Sequence, residues 1–151
     1  MGKVPDFQAT SFLLSSSALD RTIEIPWELL IAMKVLIVDD SEEMRRMIMH
    51  VIRHRVSEVI ECDDGSEALD AYTQHHPDLV LMDMKMTNVD GLTATMGIKR
   101  MFPGAYVVIV SQFDSPALRE TARLAGASDY INKADLLPLR DLLATYRAES
   151  I

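Results

Sequence analysis

Asp39, Asp40, Asp83, Ser111 and Lys133 are the residues whose types could do chemistry together. Asp39-Asp40 follows the apolar run Val35-Leu36-Ile37-Val38, and Asp83 follows Leu79-Val80-Leu81-Met82. Ser111 follows Val107-Val108-Ile109-Val110, and Lys133 follows a weaker run through Ile131 and Asn132. Brought into one cleft, three carboxylates repel one another, so at least one should hold its proton more tightly than usual. A hard divalent cation relieves that repulsion, and Mg2+ takes a few carboxylates together with water and a phosphate oxygen. A lysine adds a point charge for phosphate and a serine adds a hydroxyl donor. A carboxylate can itself attack phosphorus and form an acyl phosphate. Taken singly, each residue has a plainer role: a helix N-cap for the Asp pair, turn residues at Asp83 and Ser111, a solvated charge at Lys133. Their joint placement at run ends favours the phosphorylation site.

That placement needs elements that stop together. The three apolar runs are short, β-branched and continuous rather than alternating, as expected of strands buried on both faces of a parallel sheet. Weaker strands fit 58–61 and 128–131. Between them lie helical patterns. In 41–54, Met44, Met47, Ile48, Val51 and Ile52 recur on one face, leaving Arg45, Arg46, His50 and Arg53 on the other. A second helix is expected over 66–76, stopping at Pro77, and His75-His76 should end it rather than bind metal. A third follows Asp90-Gly91 and ends before Pro103. A fourth has Ser115 as N-cap, Pro116 at its first position and Gly126 past its end. A last runs from about Asp135 to Tyr146. Five strand–helix units predict an α/β doubly wound, flavodoxin-like fold: a five-stranded parallel sheet in order 2-1-3-4-5 with five helices. In that order strands one and three are neighbours, and ligands bind at their C-terminal ends.

Composition narrows the function classes. The chain has 151 residues, 48% of them apolar, which suits one domain with a real core. Its 15 Lys and Arg against 23 Asp and Glu give a net charge of −8, which argues against nucleic acid as a direct partner. The single cysteine, Cys62, allows no internal disulfide and points to a reducing cytoplasm; it is expected to be a small buried residue rather than a reactive thiol. No apolar run reaches the ~18 residues of a membrane span. Residues 1–32 lack a clear period and are expected to be an N-terminal extension, either disordered or a short appended helix beginning near Pro26-Trp27.

At this point the sequence resembles the receiver domain of bacterial two-component response regulators. The resemblance rests on Val38-Asp39-Asp40, then Met82-Asp83-Met84-Lys85-Met86, then Asp90-Gly91, Val110-Ser111, Gly126-Ala127, Tyr130 and Lys133. It covers roughly 33–147, so 33–151 is expected to form one receiver domain, stand-alone and similar to chemotaxis regulators. The resemblance implies that Asp83 is the phosphoacceptor. Asp40, Asp83 and the backbone carbonyl of Lys85 would bind Mg2+, with Asp39 acting largely through water. Ser111 would close on the phosphoryl group, Lys133 would pair with it, and Tyr130 would be the switch aromatic. The chain departs from the family at Thr87 and Ala134, where proline is common, and at Gln112, where a small residue is common.

The competing classes fit less well. Phosphatases of the haloacid dehalogenase type need a second acid two residues after the nucleophile, and here that residue is Lys85. Flavin carriers on this fold cradle phosphate with a Ser/Thr/Gly-rich first loop, and here that loop opens Asp39-Asp40-Ser41. A pseudo-receiver would lack acceptor residues that are all present. The expected function is therefore a phosphoacceptor in a phosphorelay, catalysing only its own phosphorylation and dephosphorylation. Its expected partners are a histidine kinase or phosphotransfer protein and a downstream protein target. With only 18 residues after Lys133, output is expected through altered affinity for that target at the fourth helix, fifth strand and fifth helix, including phosphorylation-dependent self-association.

Overall fold

Alternation along each strand builds two cores from one sheet. Leu36, Val38, Val80, Met82, Val107 and Ile109 face one way; Val35, Ile37, Leu79, Leu81, Val108 and Val110 face the other. Every one of them is essentially solvent-free, which is why the strands read as unbroken apolar runs. Burying each large side chain contributes roughly 1.5–3 kcal/mol, so both faces must be covered by helices. The computed structural model describes residues 33–150. The extension expected over 1–32, with Trp27, lies outside the described residues.

The strands are β1 (Lys34–Val38), β2 (Glu58–Cys62), β3 (Leu79–Asp83), β4 (Val107–Ser111) and β5 (Asp129–Asn132). All pair in parallel, in the order β2-β1-β3-β4-β5. The helices are α1 (Glu42–Ile52), α2 (Ala68–His75), α3 (Gly91–Met101), α4 (Pro116–Ala125) and α5 (Pro138–Ser150). Ala68, Tyr72, Ala94, Ile98 and Ala122 bring α2, α3 and α4 onto the first face, while Ile48, Ile52, Leu139 and Leu143 bring α1 and α5 onto the second. This is the expected flavodoxin-like architecture. No helix among the described residues is long and apolar enough to cross a membrane.

Helix ends follow side-chain chemistry. Ser41, Asp90 and Ser115 each accept the backbone N–H of the third residue of the helix that follows, at Met44, Thr93 and Leu118. Gly126 ends α4 with φ 104°, a left-handed conformation that suits glycine.

Three local expectations are corrected. The helix expected over 66–76 is split: a 3-10 turn at Gly65–Glu67 precedes α2, because the Asp64 carboxylate accepts Ser66 N–H and starts the turn early. The last helix starts at Pro138 rather than Asp135. The Asp135 carboxylate instead accepts Leu137 N–H in a turn, and a proline suits the first helical position. On α1, Met47 is exposed and Arg45 is half-buried, the reverse of the expected faces, because Arg45 is drawn towards the end of β1.

Candidate functional site

Register brings the polar strand ends together. Val38 pairs with Met82, so Asp39 and Asp83 leave the sheet side by side. Asp83 pairs with Val110, putting Ser111 one residue further along the adjacent strand. Ser111 pairs with Asn132, and Lys133 follows. A parallel sheet holds these residues on one edge whatever their separation in sequence. Two of the candidates are themselves the last residues of their strands: Asp83 ends β3 and Ser111 ends β4. Gly91 must be glycine for this edge to close, since a Cβ there would lie 1.9 Å from the Asp83 carbonyl oxygen.

Asp39 and Asp83 are buried and Asp40 is exposed, and the three offer carboxylate oxygens within 4.8 Å of one another. Lys133 reaches between the buried pair, with Nζ 2.8 Å from Asp39 Oδ2 and 3.0 Å from Asp83 Oδ1. The Asp83 pKa is raised, first by burial and then by the Asp39 charge, with Asp40 adding to the effect and Lys133 opposing it. Burial works to lower the Lys133 pKa, but the carboxylates of Asp39 and Asp83 outweigh it and hold the ammonium protonated.

Asp39 is fixed by its surroundings. Oδ1 accepts Ser41 N–H at 2.9 Å, and its backbone carbonyl accepts Arg45 Nη1 at 2.6 Å. Arg45 in turn holds Glu61 at 2.9 Å, which explains the side of α1 it takes. Asp39 Oδ2 is buried, and its one close partner is the Lys133 ammonium at 2.8 Å. An oxygen in that condition, beside two further carboxylates, fits a hard divalent cation of the Mg2+ type.

The switch candidates meet at Phe113. Ser111 is buried, and its Oγ accepts Phe113 N–H at 3.1 Å. The Tyr130 hydroxyl donates to the Phe113 carbonyl oxygen. The Arg119 guanidinium lies 5.0 Å above the Tyr130 ring and is anchored by both oxygens of Asp114. Tyr130 is buried, as a strand packing residue would be. The Lys85 ammonium sits 4.3 Å above the Phe113 ring. Gln112 is exposed. Ala134 N–H donates to Asn132 Oδ1 at 2.9 Å, a turn bond that proline at this position would lack.

Residues outside the cluster behave as their plainer readings require. Cys62 is buried and its thiol is pushed up to about 11, by burial first and then by Glu67 and Asp63. His76 ends α2 in a left-handed conformation, φ 47°. The Asp39, Asp40 and Asp83 group is the one set of potential metal ligands among the described residues. Phe113, Arg45 and Asp64 also shape the site, though no motif marks the first two. Asp64 alone left a signal, the Asp-Gly pair after β2 that marks a turn.

Comparison with known proteins agrees with this geometry. The family described as response regulator receiver domain matches residues 35–144. The chemotaxis protein CheY of Bacillus subtilis is 38% identical over 103 residues, covering 68% of this chain and 86% of that protein. CheY of Halobacterium salinarum is 36% identical over 102 residues, covering 68% and 85%. Among solved structures, a CheX–CheY–BeF3–Mg2+ complex from Borrelia burgdorferi matches with a TM-score of 0.71 at 25% identity, covering 81% of this chain and 95% of that one.

Proposed function

The chain belongs to the response regulator receiver domain family, and on that premise we propose that it is a single-domain response regulator of a cytoplasmic two-component phosphorelay, phosphorylated on Asp83. The observation that carries this reading is the Lys133 bridge to Asp39 and Asp83 beside the three-carboxylate cluster.

The carboxylate of Asp83 attacks the phosphorus of a phosphohistidine donor. The P–N bond breaks, its electron pair returns to the imidazole, and an aspartyl phosphate remains. Lys133 Nζ lies 3.0 Å from Asp83 Oδ1, beside the attacking carboxylate. Lys133 stays protonated through the step and balances charge gathering on the phosphoryl oxygens. Ser111 accepts a hydrogen bond from Phe113 and keeps its own hydroxyl proton to donate to a phosphoryl oxygen. Asp39, Asp40, Asp83 and the Lys85 backbone carbonyl would hold Mg2+, which when bound supplies positive charge to the phosphoryl group. Lys85 stands where a hydrolase would carry its second acid, so the chain catalyses only its own phosphorylation and dephosphorylation.

The same contacts suggest how the state is read out. Engagement of Ser111 by a phosphoryl group draws on the same hydroxyl that accepts Phe113 N–H, so a shift of Ser111 is passed to Phe113, whose carbonyl anchors Tyr130. Tyr130 lies on β5 beside α4, so phosphorylation alters the α4–β5–α5 face and its affinity for a protein target or a second copy of this chain. Phosphotransfer profiling against histidine kinases and phosphotransfer proteins tests the input: label moves to wild type and not to Asp83→Asn. Sedimentation and target binding with and without beryllofluoride test the output, and identical behaviour in both conditions contradicts it.

A further inference from the structure

Asp64 lies outside the acidic cluster, yet its whole carboxylate is occupied by backbone donors. Oδ2 accepts Ser66 N–H at 2.8 Å and Val89 N–H at 3.3 Å, and Oδ1 accepts Asn88 N–H at 3.0 Å. Its pKa is lowered to about 2, by Ser66 N–H first and Asn88 N–H next. Ser66 belongs to the turn after β2, but Asn88 and Val89 belong to the loop that leaves Asp83. The two loops touch backbone to backbone, since a Cβ on Gly65 would lie 2.4 Å from the Val89 carbonyl oxygen. At the base of the same loop, Gly91 N–H donates to the Met84 carbonyl at 2.9 Å. The segment between Met84 and Gly91 is thus closed at its base and clamped at its far turn by Asp64. It carries Lys85 and, at Thr87, has no proline to set its path.

We propose that Asp64 is a positioning residue for the acceptor site: by holding Asn88 and Val89 it fixes the path of the loop after Asp83, and so aims the Lys85 backbone carbonyl at the cation. The inference rests on the proposed function, in which that carbonyl is a Mg2+ ligand. Outer partners that orient a ligand tune metal affinity without touching the metal. Asparagine at 64 has the same shape but replaces one acceptor oxygen with an amide donor, which opposes a backbone N–H. Alanine removes all three bonds.

The test is calorimetric titration with Mg2+ alone, without phosphodonor, alongside thermal melts. Asp64→Asn and Asp64→Ala should weaken Mg2+ binding roughly tenfold or more, with alanine the worse. Gly65→Ala, which pushes the same loop through the Val89 carbonyl, should act in the same direction. Ile52→Val, a core truncation on α1, should lower the melting temperature without moving Mg2+ affinity, separating positioning from general stability. If Asp64→Ala fails to fold, Asp64→Asn and Gly65→Ala decide the matter. Affinities within about twofold of wild type in both, against the 10–100-fold typical of such partners, overturn the inference and leave the proposed function standing. Wild type that binds no Mg2+ at millimolar concentration overturns the cation site and this inference together.

Discussion

At Asp83, burial and the flanking carboxylates raise the pKa while Lys133 opposes them, so the ionised acid sits in the folded protein at a net cost. The folded state therefore binds more protons than the unfolded one between the ordinary carboxylate pKa and the raised value. Stability falls as pH climbs through that window, and the cost persists above it. Asp83→Asn should melt higher than wild type at neutral pH in EDTA, and the gap should close below about pH 4, where the acid is neutral in both states. A variant no more stable than wild type at neutral pH would contradict this. Lys133→Met acts oppositely, stranding two buried carboxylates. The expected loss by urea denaturation in EDTA is ~2 kcal/mol, short of the roughly 3–5 kcal/mol of a fully buried pair because the cleft opens to water. Mg2+ should recover part of it. Both residues were legible in the sequence because each stands at the end of an apolar run. Phe113 was not: its ties to Ser111 and Tyr130 run through its backbone N–H and carbonyl, and no residue type advertises those.

The elements were legible where they end on chemistry that acts within a few residues. Ser115, Pro116 and Gly126 mark α4 at both ends, and the structure places the helix between them. Gly126→Ala should cost about 1–3 kcal/mol in denaturant unfolding, since φ is 104° and a Cβ would lie 2.9 Å from Lys99 Cγ. Lys99 cannot easily yield, because its ammonium holds the carbonyls of Pro103 and Ala105. Phosphorylation of this variant should survive, as the contact lies away from the acidic edge. Elements whose limits depend on distant partners were less legible. The break before α2 comes from Asp64, two of whose three donors are 24 and 25 residues away in sequence. The face of α1 shifted for a similar reason, because Arg45 answers to the Asp39 carbonyl and Glu61 rather than to helical periodicity.

For the molecule as a whole, the sheet order does what no local pattern could: it makes neighbours of Asp39 and Asp83, 44 positions apart, and of Ser111 and Lys133. Parallel strands with apolar residues throughout imply the buried sheet, and strand order 2-1-3-4-5 then converts five weak motifs into one site. A cation bound at that site should stabilise the fold by linkage, by ~2.7 kcal/mol at about a hundred times its Kd. Melting curves with and without Mg2+ should show the shift in wild type and lose it in Asp40→Asn. The central claim, that Asp83 takes a phosphoryl group, is tested most directly by incubating the chain with Mg2+ and acetyl phosphate and measuring its intact mass. One added phosphoryl group is expected on wild type and none on Asp83→Asn. No addition to wild type, or equal addition to both, would contradict it.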